Sequence, residues 1–315
     1  MSGGGDSLAL ALMLADWAKA KNLEPPVALI VDHRLRRGSA KDADTAARWL
    51  RASCVTAHVL TWTGKTPASD VEAEARAARY RLMGTWCKGR GVKFLYVAHT
   101  LEDQAETFLL RLARGSGLDG LSAMRGRAPY PLPGFDNVEL VRPLLGQSRA
   151  SLRAYLTARK QDWLEDPMNN DPRFARVKIR AAMPALMELG LTAPRLASAA
   201  AHLARARRAL DDEMLGWLKN ASRIEERRAV LDGHALAALP EEIGLRALAH
   251  LLGQVSGQSY RPRFERLERL YAGICAGLAS ACTLHGCRIG KAPKREAIFG
   301  PGTLTIVREG GRGRA

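Results

Sequence analysis

Ser2-Gly3-Gly4-Gly5-Asp6-Ser7 runs directly into a stretch in which Leu8, Leu10, Ala11, Leu14 and Trp17 repeat at helical spacing. A glycine-rich turn therefore stands at a helix N-terminus. The opening amides of a helix have no acceptor within it and its dipole is positive at that end, so such a turn suits an anion. Glycines also let a phosphate approach the backbone closely. The spacing is neither GxxxxGK[ST] nor GxGxxG, which removes support for the common kinase and dinucleotide readings. By itself the stretch reads equally as a flexible glycine-rich terminus.

Beyond the turn the chain alternates apolar runs with helical patterns, as expected of an α/β domain built on an open parallel sheet with helices on both faces. Val27-Ala28-Leu29-Ile30-Val31 is a continuous apolar run that ends at Asp32-His33, and Val92 to Ala98 is another that ends at His99. Buried parallel strands deliver polar groups in this way at their carboxyl ends, where ligands bind in open sheets. Asp44 to Ala52, Ser69 to Lys88 and Leu101 to Ala113 read as helices, the second opening with Ser69 and Glu72 at capping-box spacing. Asp103 and Glu106, three apart, share a helix face and can converge on one cation, although acids in a first turn also serve the dipole alone. The proline-rich stretch Arg125 to Asn137 reads as a loop able to carry a lid or a substrate contact.

Composition narrows the function. Of 315 residues 47% are apolar and 25% charged, which is ordinary for a folded protein and excludes wholesale disorder. Forty-eight Lys and Arg against 32 Asp and Glu leave a net charge of +16, so a polyanionic partner is expected and nucleic acid leads. Cys54, Cys87, Cys275, Cys282 and Cys287 form no CxxC pair, which argues against a structural zinc or a disulfide framework and for reduced thiols in a cytoplasmic setting. The apolar run Leu8 to Ala15 is far short of the roughly 20 residues of a membrane span, and no basic segment precedes it. No membrane association is expected.

Six blocks in order resemble the tRNA(Ile)-lysidine synthetases, a branch of the N-type ATP pyrophosphatases (the PP-loop superfamily). They are SGGGDS; VDHRLR from Val31; AHTLEDQAET from Ala98; RLARGSGLDGLSAM from Arg111; RPLL from Arg142; and EDPMNNDPRFARVKIR from Glu165 to Arg180. Departures are Thr100, where the family often shows a second His, and Val177-Lys178, where it often shows Asn-x. Family members carry a buried strand immediately before the loop. Met1 here opens at the loop itself, so the expectation is either a start further upstream or a loop without that anchor.

The resemblance implies an enzyme that uses ATP to join free L-lysine to C2 of the wobble cytidine of a CAU-anticodon tRNA(Ile) through an adenylated cytidine. It implies that Ser2, Gly3, Gly4, Gly5, Asp6 and Ser7 cradle the ATP phosphates, with His33, His99, Arg111 and Arg114 on the nucleotide, and that Asp6 and Asp32 hold Mg²⁺. Asp6, Asp32, Asp103, Glu106, Arg79 and Arg176 form the expected catalytic set, Asp103 and Glu106 matching the family's lysine-binding acids. A guanidinium forks onto oxygen pairs, which makes Arg79, Arg111, Arg114, Arg176 and Arg180 candidates for phosphate and cytosine contacts. Gly115, Gly117 and Gly120 are expected only to shape a loop.

We expect a catalytic domain over residues 1–185, a helical tRNA-facing domain over 186–287 and a small basic segment over 288–315. The second is Ala-, Leu- and Arg-rich, Leu196 to Lys219 being its clearest helix, with no strand before Ile289. Arg205, Arg207 and Arg208, with Arg261, Arg263, Arg266 and Arg269, are the expected basic surface for tRNA; a homodimer is a further possible assembly. Other functions compete: GMP or NAD synthetase-like amidation is disfavoured by the RGSG and EDP blocks, and two more remain. A tRNA thiolase adenylates a base similarly but commonly needs paired cysteines, and a tRNA-binding protein without catalysis would retain only the basic surface.

Overall fold

The computed structural model describes residues 3–34, 38–64, 71–165, 173, 175–258, 260–277 and 281–309. Ser2, Arg36, Ser69, most of the block from Glu165 to Phe174, and the terminal Gly-Gly-Arg-Gly-Arg-Ala lie outside them. The chain divides into two compact units, Met1–Ala204 and Arg205–Ala315. The division falls within one long helix, later in the chain than the sequence-based boundary near residue 185.

The first unit runs α1 (Gly5–Ala20), β1 (Ala28–Asp32), α2 (Ser39–Ala52), β2 (Ala57–Thr61), α3 (Val71–Gly89), β3 (Phe94–Tyr96) and α4 (Leu101–Leu112). It continues through α5 (Leu118–Leu121), β4 (Arg127–Pro129), β5 (Glu139–Val141), α6 (Arg149–Ala158), α7 (Ala175–Glu188) and the start of α8 (Ala193–Ala221). β1 is buried along its whole length. Because side chains alternate across a strand, Ala28 and Ile30 enter a core with residues of α1, α2 and α6, while Leu29 and Val31 enter a second core with Tyr80 and Met83 of α3, Leu95 and Leu140. Burial of each Leu, Ile or Val side chain here contributes about 1.5–3 kcal/mol. This two-sided burial is what the continuous apolar run predicted.

β1 pairs in parallel with β2, Ala28 opposite Ala57 and Asp32 opposite Thr61. β3 pairs in parallel with β5, whose other edge takes β4 antiparallel. The two half-sheets share the core that joins Leu29 to Leu95 and Leu140. A cavity of about 1060 Å³ runs between them, with Val27 to Leu29 on one side and Phe94 to Ala98 on the other. The proline-rich stretch is more than a loop. It contains edge strand β4, and Tyr130 is buried with its hydroxyl donating to the Tyr80 carbonyl, while Leu132 and Phe135 pack against the same core.

In the second unit α8 is followed by β6 (Ser222–Glu225), β7 (Arg228–Asp232), α9 (Gly233–Ala237), α10 (Glu241–Ser256), α11 (Phe264–Cys275), β8 (Cys282–Leu284), β9 (Cys287–Lys291) and β10 (Thr303–Arg308). The strands form one antiparallel sheet in the order β6-β7-β10-β9-β8. Three of them precede Ile289, which corrects the expectation of an all-helical segment up to that point. The described part of the expected basic segment, residues 288–309, is likewise no separate appendage: Ile289, Leu304 and Ile306 are buried against Leu248, Leu251 and Leu252 of α10, so β9 and β10 belong to this unit's core. Arg207 is buried, not on the basic surface assigned to it, whereas Arg205, Arg208, Arg261, Arg263, Arg266 and Arg269 are exposed or partly so.

Candidate active site

The glycine loop is held by the chain far downstream. The Leu164 N–H donates to the Gly3 carbonyl at 3.0 Å, and Gly4 and Leu164 form a parallel bridge. Gly3 has φ +77°, and a Cβ there would lie 2.7 Å from Leu164 Cδ1, so any other residue is strained at this position. α1 begins at Gly5 with Gly4 as its N-cap, and the Ser7 hydroxyl donates to the Gly4 carbonyl at 2.9 Å. The loop, expected to need a strand before it, is thus anchored by Leu164. Gly4, Gly5, Asp6 and Ser7 all line the cavity.

Opposite the loop, α4 opens on Thr100, which caps it. The Thr100 Oγ accepts from the Asp103 N–H at 3.4 Å and donates to Asp103 Oδ2 at 3.1 Å, and Oδ2 also accepts from the Thr100 N–H at 2.9 Å. The departure from a second histidine therefore has a physical role, a capping box that orients Asp103. Asp103 and Glu106 are both buried, and three arginines converge on them. Arg149 Nη2 lies 2.7 Å from Asp103 Oδ1 and its Nη1 3.0 Å from Glu106 Oε1. Arg180 reaches both Glu106 oxygens, at 2.7 and 3.2 Å, and Arg176 lies 3.5 Å from Asp103 Oδ1. Arg176 and Arg180 stand one turn apart on α7, facing α4 together. Burial alone would raise the Asp103 carboxyl, but Arg149, the Thr100 N–H, His99 and Arg176 outweigh it and hold it below the ordinary range.

Arg149 was not singled out by the sequence, and it connects the whole site. Its backbone N–H donates to Glu102 at 3.0 and 3.1 Å, and its Nε lies 3.5 Å from Asp6 Oδ2. Burial, with the charges of Asp103 and Glu102, raises the Asp6 carboxyl above its usual range against the pull of Arg149. The cavity wall carries Arg76, Arg79, Arg149, Arg153, Arg176 and Arg180 against Asp6, Asp103 and Glu165. An excess of cations in a partly desolvated recess selects a polyanion.

His99 lines the cavity, and its Nδ1 accepts from Arg142 Nε at 3.2 Å. Burial first, then Arg142 and its neighbours, lowers its pKa from 6.5 to about 4. A histidine depressed in the folded state contributes stability that is complete above about pH 6.5 and lost as pH falls toward 4. Unfolding measured from pH 7 to 4 should therefore show the native chain losing up to about 3 kcal/mol more than His99→Gln. Parallel curves for the two proteins would rule this out. Arg79 is mostly buried beside the cavity, its Nε has no hydrogen-bond partner, and burial together with Arg76 and Arg176 lowers its pKa. Asp32 is buried, its Oδ1 accepting from the Arg34 N–H at 3.0 Å, and His33 stacks edge-on to Trp62.

Arg111 and Arg114 are set apart from these residues. The Arg111 guanidinium donates to the carbonyls of Gly120 and Ala123 at 2.7 and 2.9 Å, and Arg114 is exposed; neither lines the cavity. Much of the Arg111-to-Met124 block is thus a structural knot behind α4, which Gln104 tightens by bonding both the N–H and the carbonyl of Met124.

The PP-loop domain family matches residues 1–186. A tRNA(Ile)-lysidine synthase of Methylobacterium nodulans is 40% identical over 294 residues, covering 91% of this chain and 84% of that protein. The chain belongs to the tRNA(Ile)-lysidine synthase family. A lysidine synthase of Ruegeria pomeroyi is 41% identical, covering 84% of this chain and 61% of that protein, and one of Wolbachia pipientis is 33% identical, covering 99% and 70%. The chain spans about three fifths to four fifths of the length of these family members. A U34-tRNA thiolase from Methanococcus maripaludis has the same fold at 15% identity and a TM-score of 0.51, covering 67% of this chain and 70% of that one. Among the described residues, no helix is long and apolar enough to cross a membrane.

Proposed function

We propose that this chain ligates the ε-amine of free L-lysine to C2 of the wobble cytidine in a CAU-anticodon tRNA(Ile), with ATP cleaved to AMP and pyrophosphate. The observation that carries this reading is the meeting, at one arginine-rich cavity, of a glycine-rich helix start and the buried Asp103, which shares Arg149 with the buried Glu106 behind it. The cytosine C2 oxygen is a poor leaving group, so it first attacks the α-phosphorus and pyrophosphate leaves. The lysine amine then attacks C2, and the C2–O bond breaks to release AMP.

In this scheme the backbone of Gly3, Gly4 and Gly5 with the Ser7 hydroxyl holds the phosphates, and Arg79 and Arg176 offset charge developing on them. His33 and His99 flank the nucleotide, His99 as a neutral ring, and Asp103 and Glu106 take the ammonium of lysine. Among the described residues no set of three or more His, Cys, Asp or Glu is grouped to hold a metal. Mg²⁺ commonly uses one or two carboxylates and completes its shell with phosphate and water, which suits Asp6 on the cavity wall; Asp32, the second carboxylate of this scheme, is buried outside that wall. The crowding of Asp6 by Asp103 and Glu102 is what a cation there would relieve. Bound in that place it would neutralise the departing pyrophosphate. The exposed arginines of α11 and the start of the second unit would meet tRNA phosphates.

Cys87 lines the cavity, but burial pushes its thiol up, the reverse of what a sulfur-transferring thiolate needs, so the structure favours amine over sulfur chemistry. Labelled lysine should enter a CAU-anticodon isoleucine tRNA transcript only with ATP present, and should not enter a methionine tRNA. Tight tRNA binding without ATP binding or lysine transfer would favour the non-catalytic reading instead.

A further inference from the structure

The oxygens of the acid pair accept seven hydrogen bonds. Asp103 Oδ2 takes the Thr100 N–H and hydroxyl, and Oδ1 takes Arg149 and Arg176. Glu106 Oε1 takes Arg149 and Arg180, and Oε2 takes Arg180. A carboxylate offers about four lone-pair positions and an ammonium brings three donors; Glu106 Oε2 has room for one more, so an amine that bridges both acids must displace a guanidinium. Arg180 is forked onto Glu106 from α7, and Thr100 is fixed as the helix cap. Arg149 differs. Its side chain lies between the acid pair and Asp6 of the glycine loop, so a turn about its side-chain torsions would carry the fork from the carboxylates toward the α1 start while its N–H stays on Glu102.

We propose that Arg149 is a positioning residue that keeps the Asp103–Glu106 pair closed to a free amine until nucleotide phosphates at the α1 start draw its guanidinium away, so that nucleotide binds before lysine. This rests on the assignment of the acid pair to lysine. The wall charge works in the same direction. Six arginines facing three carboxylates repel a substrate that is itself a cation, and the phosphates reverse that field. The order matches the chemistry, since lysine has nothing to attack until the cytidine has been adenylated.

Equilibrium dialysis of labelled L-lysine against the full chain tests this without turnover, using an ATP analogue with a methylene bridge between the α and β phosphates. In the native chain the analogue should tighten lysine binding at least tenfold. Tripolyphosphate should do the same and adenosine should not, because the phosphates are what move Arg149. Linkage requires lysine to tighten analogue binding by the same factor. Arg149→Gln should bind lysine without nucleotide within about twofold of the native affinity with it. Arg153→Gln, which removes a wall charge that does not touch the acids, should keep the dependence. Equal lysine affinity with and without tripolyphosphate in the native chain overturns the proposal, whether or not the Arg149 variant folds. So does an Arg149→Gln protein that retains the full dependence. Asp103→Asn separates the two ideas: lysine binding indifferent to it would overturn the assignment of the acids, and with it the gate.

Discussion

Asp6→Ala is expected to slow ATP-dependent pyrophosphate release by at least about 100-fold while leaving the thermal midpoint within a few degrees. Removing one preorganised electrostatic contact to a transition state commonly costs 10²–10³ in rate. Asp6 sits in the first turn of α1, lines the cavity beside Gly4 and Gly5, and makes one 3.5 Å ion pair with Arg149, which keeps its other two carboxylates. The fold therefore depends little on Asp6, whereas the reaction, on the assignment of Asp6 to the metal and phosphates, depends on it strongly. Pyrophosphate release measured in a single turnover with excess enzyme isolates the step. A variant with native release would remove Asp6 from the phosphate machinery.

The largest stability effect is expected at Glu106. Its carboxylate is buried and accepts from Arg149 and from both nitrogens of the Arg180 fork. Breaking a buried pair by deleting one partner costs about 3–5 kcal/mol. Arg180 is one-third exposed and recovers some hydration, which brings the expectation to about 3 kcal/mol. For a unit of this size that is about 10 °C in the midpoint. Calorimetry of Glu106→Ala beside Glu139→Ala provides the contrast, because Glu139 meets Arg127 in the open at 3.3 Å and such pairs contribute at most about 1 kcal/mol. Equal shifts for the two variants would show that burial of Glu106 has no energetic weight.

How much of the molecule is legible in its sequence divides along physical lines. β1 is legible because both of its faces are buried and the apolar run is unbroken. β2, Ala57-His58-Val59-Leu60-Thr61, is half exposed and has no such run, and β5 is three residues long. The β6–β7 hairpin is hidden by the charged Glu225-Glu226-Arg227 turn, although Ala229 and Leu231 alternate inward as a strand requires. In the site, the loop and the acid pair were legible because each is a local pattern at a helix start. Arg149 was not, since its partners are contributed by α1 and α4, more than 40 residues earlier in the chain. Arg111 misled for the complementary reason: no local pattern shows that a guanidinium is occupied by the carbonyls of a knot formed later in the chain.

β10 lies between β7 and β9, yet it is synthesised after both. As the second unit leaves the ribosome, β6–β7 and β8–β9 can close as hairpins, but each presents an open edge toward the place of the missing centre strand. Leu304 and Ile306 then arrive to complete both ladders and the core in one step. A nascent chain stalled before Thr303 would hold two sticky half-sheets, a substrate for chaperones or for pairing with a neighbouring polypeptide. The integrity of this unit thus waits on the arrival of β10.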